Sequence, residues 1–130
     1  MNDYVDAAER HYLSAKALDE HPATASHCYG ISAECVLKAL MSNLQPQASA
    51  ISKAHLQNLW SAFAVSPALS AYPNRVTMAM NFQTFFAQWD INQRYFNRSH
   101  STLDLSKVNS QKQGAEGLWG LLQQVQQGLI

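Results

Sequence analysis

Apolar residues recur along this chain at three-to-four spacing, and no stretch alternates with the strict period of two that marks a half-buried strand. The pattern predicts helices throughout. Asp3 can cap a first helix running to about Asp19, with Tyr4, Ala8, His11, Ala15 and Leu18 on one stripe. Pro22 suits the first turn of a second helix, whose apolar stripe is Cys28, Ile31, Cys35, Val36, Ala39 and Leu40 and which ends before Pro46. After a loop at 45–50, a third helix is predicted from about Ser52 to Val65, carrying Leu56, Leu59, Trp60 and Phe63. Residues 66–73 hold two prolines and read as a connector.

The next run has the densest apolar pattern. Asn74 is a candidate cap for a fourth helix with Met78, Phe82, Phe85 and Trp89 on one stripe, broadened by Val76, Met80, Phe86 and Ile91. A helix apolar nearly all round is expected to be central or shared with a partner. Periodicity fades near Asn97, and 98–106 reads as a loop. A last helix is predicted from about Val108 to Gln127, with Val108, Ala115, Leu118, Leu122 and Val125 as its seam. Gly114, Gly117 and Gly120 recur every third residue in it, each costing about 1 kcal/mol of helix propensity relative to Ala. Close approach of a neighbouring helix would explain them. The chain therefore reads as all-α, a single domain over 1–130 built as an up-and-down bundle of four to five helices.

Composition adds an expectation about assembly. The 130 residues are 47% hydrophobic, so a real core can form. Only 14% are charged, against about 25% for an average globular chain. The shortfall suggests surface covered by a partner, most simply a second copy in a two-fold homodimer joined along the fourth helices. Lys plus Arg and Asp plus Glu are 9 each, which argues against a strongly basic nucleic-acid binder as a whole-chain property. The charge is uneven, however. Residues 1–20 carry five acidic against two basic side chains, and residues 70–115 carry five basic against two acidic. A local positive patch of that kind can meet phosphate.

Cys28 and Cys35 lie seven apart on one predicted helix, roughly 10.5 Å along its axis, beyond the ~7 Å limit for a disulfide. Two buried reduced thiols are expected, in keeping with a cytoplasmic protein. The acidic, polar start MNDYVDAAERH argues against a secretory signal, and no apolar run reaches membrane-spanning length.

Candidate chemistry is sparse. There is no phosphate-binding glycine loop, metal-type His or Cys pair, or nucleophile elbow. Glu34 and Lys38 stand i,i+4, as an ion pair would, and His55 reads as a packed or capping histidine. The stretch Trp89-Asp90-Ile91-Asn92-Gln93-Arg94-Tyr95-Phe96-Asn97-Arg98-Ser99-His100 is different, because it gathers Arg94, Asn97, Arg98 and His100 in the positive region. A guanidinium that grips phosphate and an imidazole that moves protons are the tools of metal-free RNA cleavage. The pairing of Arg94 with Asp90 one turn earlier is the purely structural alternative.

The run Tyr29-Gly30-Ile31-Ser32-Ala33-Glu34-Cys35-Val36-Leu37-Lys38-Ala39-Leu40 resembles the second-helix signature of the HEPN family, the higher eukaryote and prokaryote nucleotide-binding domains. His55-Leu56-Gln57-Asn58-Leu59 and Trp89-x4-Arg94-Tyr95 resemble further landmarks of that family, in the same order. The resemblance implies a dimeric helical bundle and, in many members, a metal-independent endoribonuclease of a toxin–antitoxin or phage-defence system. The family motif is Arg, four to six residues, then His. It maps onto Arg94 and His100 as catalytic residues, with Asn97 and Arg98 positioning the RNA backbone and neither metal nor cofactor required. The residue after the motif Arg is often polar, whereas here it is Tyr95, and subfamilies with Arg-Tyr include ones with lost or altered catalysis. The resemblance thus also implies a second reading, a non-catalytic nucleotide-binding or interaction module partnering a nucleotidyltransferase or an antitoxin.

Overall fold

The computed structural model describes residues 1–18, 20–95 and 105–130, with only the backbone of Arg94. Asp3 starts α1 (Tyr4–Lys16) by accepting a hydrogen bond from the Asp6 N–H at 3.0 Å. Pro22 starts α2 (Pro22–Met41), where its missing N–H costs nothing. The chain continues through α3 (Leu56–Ala64), α4 (Pro73–Met80) and α5 (Leu105–Gln126), with short 3-10 turns at Pro67–Leu69, Gln83–Phe86 and Ile91–Tyr95. The architecture is an all-α bundle. Among the described residues the only extended pairing is an isolated bridge between Asn2 and Gln47, which ties the loop after α2 to the start of the chain.

The central element is α2, not the predicted fourth helix. Its buried residues, from Ala25 to Leu40, run around most of its circumference, and α1, α3, α5 and the 3-10 turns Pro67–Leu69 and Ile91–Tyr95 pack against it. Small side chains permit the closest approach. Ala8 and Ala15 of α1 are fully buried, and the Ser32 hydroxyl of α2 donates to the Ala8 carbonyl at 2.7 Å. α2 ends where Asn43 and Leu44 take left-handed backbone angles, φ 53° and 66°. There the Leu44 N–H reaches back to the Ala39 carbonyl at 2.8 Å, satisfying one of the orphan acceptors of the helix end.

The predicted fourth helix is corrected in length and role. α4 has eight residues, its cap is Tyr72 rather than Asn74, and after Met80 the chain bends into 3-10 turns. The bend lets the aromatic residues seat themselves. Phe82, Phe85 and Phe86 press on α5 where it lacks side chains: a Cβ at Gly117 would lie 2.1 Å from Phe82, and one at Gly114 would lie 2.6 Å from Phe86. The glycines thus admit aromatic rings rather than a helix backbone, and Gly120 faces open space. Phe86 and Trp89 are buried within the chain itself, so the apolar breadth of this stretch does not call for a partner to cover them.

Two boundaries also differ from expectation. α3 begins at Leu56, four residues later than predicted, and α5 begins three residues earlier than predicted. Both cysteines are free thiols, Cys35 buried and Cys28 half-buried. Burial, reinforced by the neighbouring Glu34 carboxylate, pushes the Cys35 thiol up to about 12. Among the described residues no helix is long and apolar enough to cross a membrane.

Candidate functional site

The segment leading to Arg94 is bolted to the bundle by a buried polar chain. The indole of Trp89 fills the place a side chain would take at Gly30, and its Nε1 donates to the Ser26 carbonyl at 2.9 Å. Four residues on, Gln93 is 0% exposed. Its Nε2 donates to the Ser26 hydroxyl at 2.6 Å, and its Oε1 accepts the Asp90 N–H at 3.1 Å. The Ser26 hydroxyl in turn donates to Oε1 of Gln111 on α5. One serine therefore joins α2, the 3-10 turn and α5. A buried network satisfied in this way holds its members in one arrangement, because any unpaired member would sit unsolvated.

The backbone of Arg94 follows directly after Gln93, within the 3-10 turn Ile91–Tyr95 rather than on the predicted α-helix. Asn97, Arg98 and His100 lie outside the described residues, as does the side chain of Arg94. The Asp90 carboxylate accepts the Asn92 N–H at 2.8 Å, an Asx turn that shapes the start of the segment. Tyr95 is 73% exposed.

Beside this segment lies a cavity of about 180 Å³ lined by Ala23, Thr24 and His27 of α2 and by Gln93. The His27 ring lies nearly parallel to the Trp89 indole, 17° apart with centroids at 6.2 Å. A larger hollow of about 590 Å³ lies beside α4. Its one charged lining residue, Arg75, stacks on Tyr72 at 3.8 Å and donates to the Ile130 carbonyl oxygen at 3.0 Å. No carboxylate or imidazole side chain accompanies Arg75 among its lining residues.

A second polar centre sits farther along α2. Glu34 accepts from Lys38 Nζ at 3.2 Å through Oε2 and from the Leu56 N–H at 3.0 Å through Oε1, which also lies 3.2 Å from His55 Nδ1. The expected i,i+4 pair is present and largely buried. His55 occupies the N-cap position of α3, yet the acceptor that caps the Leu56 N–H is Glu34, 22 residues before Leu56. With both oxygens engaged, this carboxylate holds α3 in place rather than standing ready for acid–base work. His11 is held below its ordinary value of 6.5 by burial and then by Arg10, against a smaller upward pull from Glu34.

Sequence reasoning missed Ser26, Gln93 and Gln111, the residues that anchor the segment. One signal was available: Gln111 falls on the apolar seam of α5 one turn before Ala115, where a polar residue needs a buried partner. Among the described residues no group of three His, Cys, Asp or Glu side chains is placed to hold a metal ion. No protein-family model matches the chain, and no curated protein or solved structure matches it either.

Proposed function

We propose that this chain is a HEPN-like cytoplasmic domain that binds RNA at the basic segment around Arg94 and cleaves it without a metal. The observation that carries the reading is the anchoring of the Arg94 backbone. Trp89 and Gln93, one turn apart, are fastened through Ser26, so the residue bearing the phosphate-binding guanidinium starts from a fixed point. Fixed charges stabilise a transition state better than mobile ones, because nothing has to reorganise as charge develops. The resemblance gains support from the way its landmarks interlock: Gly30 receives Trp89, and Glu34 receives His55.

In this reading a ribose 2′-hydroxyl attacks the adjacent phosphorus, the 5′-oxygen leaves, and a 2′,3′-cyclic phosphate forms. His100 transfers protons, Arg94 stabilises the charged phosphorane oxygens, and Asn97 and Arg98 position the backbone. A mixed RNA pool incubated with the protein and a chelator tests it. Fragments ending in 2′,3′-cyclic phosphate are the expected outcome, and intact RNA would contradict the reading.

The second reading, an interaction module docking an antitoxin or nucleotidyltransferase, is favoured by one observation. Tyr95, next to Arg94, presents most of its side chain to solvent, as a protein-binding residue does. Either reading includes a homodimer. It draws support from the low charge content and from exposed Tyr72 and Met78 on and beside α4. Light scattering at micromolar concentration should give twice the 14.5 kDa of one chain, and the single-chain mass would refute the dimer.

A further inference from the structure

The hollow beside α4 sets one charged group among apolar side chains. Tyr72, Pro73, Met78, Leu129 and Ile130 supply most of its wall, and Leu129 is 68% exposed. Its 590 Å³ is the volume of about twenty liquid waters and lies within the roughly 300–1,000 Å³ of small-molecule sites. We infer that the hollow binds a small carboxylic acid with an apolar body, whose carboxylate is gripped by Arg75. The inference stands apart from the RNA reading.

The bonding of Arg75 points to that anion. A carboxylate can meet a guanidinium side-on, through two parallel bonds from Nε and one Nη. At Arg75 the Nη2 of that edge donates to the Ile130 carbonyl oxygen at 3.0 Å, while the buried Nε meets no acceptor among the described residues. The carbonyl thus serves one donor of the edge and leaves the other over. A carboxylate has two oxygens and serves both, so exchanging one acceptor for the other gains a charged hydrogen bond and removes an orphaned donor. The Tyr72 ring, 3.8 Å from the guanidinium carbon, limits the motion of the group. No carboxylate or imidazole side chain lines the hollow to compete for its charge, and the Thr77 hydroxyl is already turned to the Pro73 carbonyl at 3.1 Å.

The Ile130 oxygen can give way without unwinding α5. The end of that helix is closed by the Leu129 N–H, which donates to the Gln124 carbonyl at 2.9 Å across Gly128 with its φ of 74°. Ile130 lies beyond this closure, so a turn of its carbonyl group opens the side edge of Arg75 and leaves the helix end intact. The apolar body of the ligand then lies against Met78 and Leu129, whose exposed surface it removes from water.

The test titrates methyl-labelled protein with naphthylacetate and with naphthylacetamide, its uncharged isostere, and follows the methyl resonances. The acid is expected to shift the Met78, Leu129 and Ile130 methyls and to bind at least about tenfold more tightly than the amide. Arg75→Gln should erase that preference while the amide binds as before. Arg75→Lys keeps the charge but lacks the two-donor edge, and should lose most of the preference, so it decides the matter if the glutamine variant fails to fold. Equal affinity of the wild type for acid and amide, or a preference undiminished in the lysine variant, would make Arg75 a tether for Ile130 alone and overturn the inference. Shifts confined to methyls outside the hollow would overturn it as well. A homodimer that seals Tyr72 and Met78 would leave the acid unbound, and that result too would remove the site, with light scattering identifying the dimer as the cause.

Discussion

A Cβ placed on Gly30 would lie 1.9 Å from Cε2 of the Trp89 indole, so the glycine of α2 and the tryptophan of the basic segment occupy one volume between them. That fit ties the segment before Arg94 to the bundle's central helix. Gly30→Ala must displace a buried indole whose Nε1 is bonded to Ser26. Overpacking of this kind costs about 1–3 kcal/mol even though alanine is the better helix former. Denaturant unfolding should show a loss of that size and near-ultraviolet dichroism a changed tryptophan signal; a stabilised variant would contradict the fit.

The Glu34 carboxylate serves Lys38, His55 and the first N–H of α3 at once. Removing one partner of a buried ion pair costs about 3–5 kcal/mol, because the other charge is left unpaired. Glu34→Ala should lose about that much, as read by chemical denaturation. Amide exchange should quicken across α3 before it quickens across α1. A loss below about 1 kcal/mol would show that the cluster contributes little.

His11 gives the fold a pH dependence of known sign. Burial and Arg10 depress its folded value below 6.5, so the unfolded chain binds the proton more readily. The stability it contributes is present above about pH 6.5 and is lost as pH falls through the depressed value. The melting temperature should therefore fall on acidification from pH 7 to 5, and His11→Gln should flatten that fall. An unaltered slope in the variant would refute the assignment.

Much of the helical layout was legible because its causes are local. The Asp3 cap, Pro22 at the head of α2 and the seam of α5 are all read within a turn or two of where they act. The break after Met80 was not legible. Met78, Phe82, Phe85 and Trp89 have helical spacing, and what bends the chain is the set of gaps at Gly30, Gly114 and Gly117, all distant in sequence. The late start of α3 has the same origin, since its cap comes from Glu34. At the candidate site, Arg94 stood out by charge and motif. Its support by Ser26 and Gln111 crosses tens of residues, and no local pattern encodes it.

The central claim is tested most directly by the initial rate of cleavage of a single-stranded RNA, in chelator, by wild type, Arg94→Ala and His100→Ala, each checked for native dichroism. Wild type should cleave. His100→Ala should be slower by about 10²–10⁴-fold, and Arg94→Ala should be at least as impaired, since its positive charge no longer meets the phosphorane. All three should melt within a few degrees of one another. Wild-type RNA left intact, or two folded variants that cleave at the wild-type rate, would contradict the account.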